Sequence, residues 1–131
     1  MRVLALDYGA ARTGVAISDA TGTLARPLTV IERVASEPGL RQLAQLVAAE
    51  GAERIVVGLP LTLKGEQGAQ ADETALFVEA LRTVVDVPVE SFDERFTTAL
   101  AASAPSAKAP EDARAAAHLL ESYLTWTSGR A

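Results

Sequence analysis

The chain opens on an apolar run, Val3–Leu6, that stays apolar on both strand faces until it meets Asp7. That pattern predicts a strand over Arg2–Tyr8, covered on both sides as in the middle of a layered sheet. Gly9–Gly14 reads as a turn-prone connection. Two further strands follow, Gly14–Ser18 and Leu24–Ile31, joined by the turn Asp19–Gly22. The close spacing predicts an antiparallel meander. Pro27 lacks an amide hydrogen, so the third strand belongs at a sheet edge or is bulged there. The period then changes. Leu40, Leu43, Ala44 and Val47 recur at helical spacing and stop at Glu50–Gly51. A short buried strand begins at Arg54–Val57, and Leu59–Gly68 is a loop. Gln70–Val84 reads as a helix with Leu76 or Phe77, Val78 and Leu81 inward. Pro88–Asp93 is a fifth strand, and Glu94–Ala102 begins a third helix. Ser103–Pro110 is a small-residue linker, and Glu111–Trp126 the last helix. The order β-β-β-α-β-α-β-α-α predicts an α/β fold, a mixed sheet with helices on its faces. It forms one domain over residues 1–126, followed by a tail at 127–131.

Composition narrows the chemistry. The 131 residues suffice for one core of two or three layers, and 49% apolar with 22% charged residues excludes wholesale disorder. Cys is absent and His118 is the one histidine, so disulfides, thiolate zinc sites and cysteine nucleophiles are excluded. The net charge of -5 does not fit a protein that coats nucleic acid with its whole surface. Binding of a polyanion would need a local basic patch or bound cations. Ten of the 12 cationic side chains are Arg, which suits planar contacts to phosphate or carboxylate. The first apolar run is too short for a signal peptide and no stretch approaches a membrane span, so the expected location is the cytoplasm.

Asp7 is the anomaly in the pattern. Alternation puts Val3, Ala5 and Asp7 on one strand face, where a carboxylate is costly unless paired, hydrogen-bonded or metal-bound. Either it holds the amides of the next loop or it belongs to a site at the carboxyl end of the sheet. Asp93 and Glu94 follow the fifth strand and could equally cap a helix. Asp112 shares a helical stripe with Ala116, Leu119 and Tyr123, whereas Glu111 falls on the wetter face with Ala115, His118 and Ser122. Asp112 is therefore expected to point along the buried side at the first turn. Carboxylates from two strand ends and one helix start could converge on one sheet edge. An all-oxygen set suits Mg²⁺ or Mn²⁺. Two such ions about 4 Å apart can clamp the attacking and leaving oxygens of a phosphodiester.

Around these acids stand candidate phosphate contacts, each with a plainer reading. Arg12 follows Asp7 in the connecting loop and is otherwise a surface Arg. Lys64, near Gly65 and Gly68, could sit in a strand-contacting loop. Arg95 lies beside the second acidic group and could pair with it. Thr97 and Thr98 open a helix, where hydroxyls and amides hold phosphate or simply start the helix. Tyr123 and Trp126 are expected to cover the end of the core. GAARTG at Gly9–Gly14 has P-loop spacing but lacks the Lys and Ser/Thr, so a Walker A site is rejected. A two-lobed actin-like ATPase needs more chain.

Four segments together resemble one family: Leu4–Asp19 (LALDYGAARTGVAISD), Ile55–Ala71 (IVVGLPLTLKGEQGAQA), Phe92–Ala101 (FDERFTTALA) and Glu111–Leu124 (EDARAAAHLLESYL). Their order and spacing resemble the YqgF/RuvX family, pre-16S rRNA nucleases related to Holliday junction resolvases. The resemblance implies an RNase H-like fold, a five-stranded mixed sheet flanked by helices. It also implies a divalent-metal nuclease, with Mg²⁺ or Mn²⁺ held by Asp7, by Asp93 or Glu94, and by Asp112. The implied substrate is structured nucleic acid, the precursor of 16S rRNA or branched DNA. Junction resolution would need a homodimer; a non-catalytic RNA-binding or ribosome-associated factor is a third reading. Two departures stand out. Ala11 precedes Arg12 where the family usually has Lys, and Gly58 stands where related resolvases place an acid on the fourth strand.

Overall fold

In the computed structural model, residues 1–60, 68–93 and 110–128 are described. Among them are β1 (Val3–Asp7), β2 (Arg12–Ser18), β3 (Ala25–Glu32), α1 (Glu37–Glu50), β4 (Arg54–Leu59), α2 (Ala69–Arg82), β5 (Val89–Asp93) and α3 (Glu111–Ser128). The five strands form one mixed sheet in the order β3-β2-β1-β4-β5. The first three are antiparallel neighbours, and β4 and β5 run parallel to β1. The α/β reading holds. The helix expected from Glu94, the linker residues 103–109 and the loop residues 61–67 lie outside the described residues.

The doubly apolar run of β1 is central and covered on both faces. One core joins Leu4, Leu6, Val15, Ile17, Ile55 and Val57 to Leu43 and Val47 of α1 and Phe77, Val78 and Leu81 of α2. The other joins Val3, Ala5, Ala16, Val56 and Phe92 to Ala116, Leu119, Leu120 and Tyr123 of α3. Odd and even residues of β1 thus serve different helix layers, as a period of two requires. Leu76 is 73% exposed, so Phe77 is the inward residue of that pair.

Several boundaries moved, each for a stated contact. β2 begins at Arg12 because Arg12 and Thr13 pair with Glu32 and Ile31, so Arg12 lies on a strand and not in a loop. Pro27 sits on an edge strand and beside a register shift between Val15 and Ala16, so both expectations about it hold. α1 starts at Glu37 because Ser36 caps it, accepting from the Gly39 amide at 3.2 Å. Gly51 ends α1 in the left-handed conformation, φ 66°. β4 continues to Leu59 by pairing with β5. α3 runs through Ser128, two residues into the expected tail, and the Thr127 hydroxyl bonds the carbonyls of Tyr123 and Leu124 at 3.1 Å.

Candidate active site

The strand directions gather the chemistry at one end of the sheet. β1, β4 and β5 are parallel, so their carboxyl ends coincide; antiparallel β2 brings its first residue, Arg12, to the same end. β3 brings its last residue, Glu32, beside Arg12. Val3 and Ala5 lie in the core under α3, so the pleat places Asp7 on the α3 face.

Gly14 decides what meets Asp7 there. It pairs with Asp7 across the β1–β2 ladder. A Cβ on Gly14 would lie 1.8 Å from the carbonyl oxygen of Asp112 and 2.3 Å from its carbon. The first turn of α3 therefore rests directly on β2, one strand spacing (about 4.8 Å) from β1. Asp112 is brought beside the strand partner of Asp7, as its helical stripe predicts. Arg12, on the same face as Gly14, sets its Nε 3.3 Å from Asp112 Oδ2. The two side chains are 67% and 35% exposed, so the pair is solvated and worth at most about 1 kcal/mol.

The backbone beneath is pinned from both sides. The buried Thr13 hydroxyl accepts from the Gly9 amide and donates to the Gly9 carbonyl, both at 3.2 Å. Tyr8 turns to the opposite face, stacks on Phe77 with ring centroids 4.7 Å apart, and donates to Glu73 at 3.1 Å. Burial, and then Glu73, push the Tyr8 phenol above its ordinary pKa. These contacts hold the end of β1, and Asp7 with it, to α2. The pattern of hydrophobic positions gave no signal for them, because Tyr8 reads only as the end of a strand and Thr13 as part of the connection after it.

The remaining candidates divide. Phe92 is packed under α3, so the pleat carries Asp93, opposite Leu59, to the other face at the same end. Asp7 and Asp112 thus share a face, and Asp93 stands across the sheet plane from them. Glu94, Lys64, Arg95, Thr97 and Thr98 lie outside the described residues. His118 is half-buried with Nδ1 4.0 Å from Glu121, on α3. Tyr123 is buried and Trp126 partly exposed, over Phe92 as expected. Among the described residues no three potential metal-ligating side chains cluster. Asp7 and Asp112 nonetheless offer oxygen donors of the kind that fits a hard divalent cation.

The family model described as "RuvX: Holliday junction resolvase" matches residues 1–126. The chain belongs to that family. Its span takes in Asp7, Arg12, Asp93, Glu94 and Asp112. A relative from Chloroflexus aggregans, named "Putative pre-16S rRNA nuclease", is 50% identical over 99 residues, 76% of this chain and 70% of its own. One of the same name from Desulforamulus reducens is 36% identical over 132 residues, 95% of this chain and 96% of its own. The RuvC structure of Thermus thermophilus in complex with Holliday junction substrate superposes with a TM-score of 0.69 at 15% identity. It covers 98% of this chain and 96% of that one. A second T. thermophilus RuvC structure gives 0.66 at 16% identity, over 98% and 97% of the two chains. At such identities the likeness is one of fold, and the sheet is RNase H-like, as the resemblance implied.

Proposed function

We infer that this chain is a nuclease that hydrolyses phosphodiester bonds of structured nucleic acid with a divalent cation. The family supports the reaction class. The observation that carries the site is the seat of α3 on Gly14, which sets Asp112 beside the strand partner of Asp7. Asp7 and Asp112 would hold Mg²⁺ or Mn²⁺, with a third carboxylate from Asp93–Glu94. Glu94 is favoured because the pleat turns Asp93 away from the Asp7 face. Bound there, the cation supplies Lewis-acid stabilisation of the phosphodiester and offsets the negative charge of the carboxylates. The chain's own residues do the rest. Arg12 releases Asp112 and turns its guanidinium to a substrate phosphate, a small step because the pair is solvated. Thr13 and Tyr8 keep the end of β1 from shifting under that load. Lys64, Arg95, Thr97 and Thr98 are proposed to position the backbone.

The substrate proposed first is the 5′ end of the 16S rRNA precursor, after the relatives' name, and the place of action is the cytoplasm. Among the described residues no helix is long and apolar enough to cross a membrane. Resolution of branched DNA is the second reading, favoured by the family's description, and it requires a homodimer with two sites. Asp7→Asn decides the site. With Mg²⁺ or Mn²⁺, precursor rRNA and four-way junction DNA should both still bind, while cleavage of the true substrate falls more than ~100-fold, beyond the loss of an outer partner of a ligand. Retained cleavage would remove Asp7 from the machinery. Absence of cation-dependent cleavage in the wild type would leave a non-catalytic binder.

A further inference from the structure

One residue at this end of the sheet has a backbone conformation that calls for an explanation. Arg33 follows the last residue of β3 and has φ 47°; among the described residues it is the one non-glycine in the left-handed region. A long side chain there is uncommon and costs more than Gly or Asn would. The conformation is held on every side. The Arg33 amide donates to the carbonyl of Ala11 at 3.0 Å. The Arg33 carbonyl accepts from the Ser36 amide at 2.9 Å and the Ser36 hydroxyl at 2.6 Å. Gly39 of α1 closes over it, since a Cβ there would lie 2.3 Å from the Arg33 carbonyl oxygen. Yet the side chain that this frame presents is exposed, and no ion pair among the described residues engages it. Backbone held in a sparsely used region, around an exposed cation, points to a task outside the core.

The charges nearby say what the task is. Arg33 is bonded to the residue before Arg12, and Arg12 pairs across the ladder with Glu32. Arg12 also faces Asp112. Among the described residues, a polyanion approaching Asp7 and Asp112 at this corner therefore meets the carboxylates of Asp7, Glu32 and Asp112 and the already engaged guanidinium of Arg12. A further exposed cation beside these carboxylates lowers the cost of bringing a phosphate to the corner. We propose that Arg33 is a nucleic-acid-binding residue: its left-handed backbone aims the guanidinium at a backbone phosphate next to the one taken by Arg12. It stands beside Ala11, the residue before Arg12. This deepens the nuclease reading and rests on it.

The test is Arg33→Gly, which keeps the left-handed backbone and removes the charge, with Arg33→Lys and Arg12→Ala alongside. Binding to four-way junction DNA and to a precursor-rRNA stem is measured from low to moderate salt in Mg²⁺, with melting temperature on each variant. Arg33→Gly should melt no lower than wild type and bind about 3- to 10-fold more weakly. The slope of log K against log salt should be shallower by roughly 0.7–0.9, the share of one phosphate contact. The loss should fall in KM and not in kcat, and Arg33→Lys should recover most of the binding. Unchanged affinity and slope in Arg33→Gly, with Arg12→Ala weakened, would overturn this assignment and leave the nuclease reading standing. A lower melting temperature with kcat lost would make Arg33 a structural turn residue and also overturn it. A wild type that binds neither probe would remove both.

Discussion

Asp112 and Arg12 show how little energy ties an ion pair when both partners reach water. Arg12→Ala should change unfolding free energy in urea by less than about 1 kcal/mol, because the pair is solvated. Nucleic-acid binding should weaken nonetheless. Asp19 is the contrasting acid, since its work is local. Its carboxylate accepts from the Thr21 hydroxyl at 2.6 Å, and from the Thr23 and Leu24 amides at 2.9 and 3.1 Å. The Thr21 hydroxyl first, then the two amides, hold its pKa below the usual 3.8. A depressed folded-state pKa adds stability that is present above 3.8 and drains away as pH falls below it. Wild type should therefore lose more stability than Asp19→Asn between about pH 4 and pH 2, as thermal melts across that range would record. Asp7 stood out in the sequence because a carboxylate broke an apolar run. Arg33 did not, because nothing in a polar stretch announces a left-handed φ.

At the scale of elements, the seat of α3 on β2 is where packing becomes chemistry. Gly14→Ala puts a methyl against the Asp112 carbonyl, where backbone and not a flexible side chain must yield. Overpacking of this kind costs typically 1–3 kcal/mol, and here the yielding part carries Asp112. Leu120→Ala empties a fully buried position of the same helix, at about 2–5 kcal/mol, without pushing its first turn. If the site is built as argued, Gly14→Ala loses more cleavage than Leu120→Ala even where its loss of stability, read from denaturant curves, is no greater. The described helices and strands were legible: the stripe Leu40, Leu43, Val47 and the doubly apolar β1 both lie where the periods put them. Their ends were less so. Arg12 joined β2 because β3 offered it a partner, and Thr127 and Ser128 joined α3. Neither contact is visible in the local pattern.

For the whole molecule, a net charge of -5 sets the terms on which a polyanion can be met. On the proposed reading, binding is local, at the end of the sheet that holds Arg12 and Arg33, and is helped by cations. Chelation with EDTA should abolish cleavage, and added Mg²⁺ or Mn²⁺ restore it. Cleavage in EDTA equal to that in Mg²⁺ would exclude the carboxylate site. By itself the sequence determined the alternation of the described elements, the two-sided burial of β1 and the helical face of Asp112. Each follows from a period of 2 or 3.6 read over neighbouring residues. Through the resemblance of four segments it also implied the family. The tertiary structure alone decided that Gly14 is a seat for α3 and not a turn residue, that Asp93 faces away from Asp7, and that Arg33 is held beside Ala11. Those are relations between residues far apart in the chain or set by the register between strands, and no local periodicity encodes them.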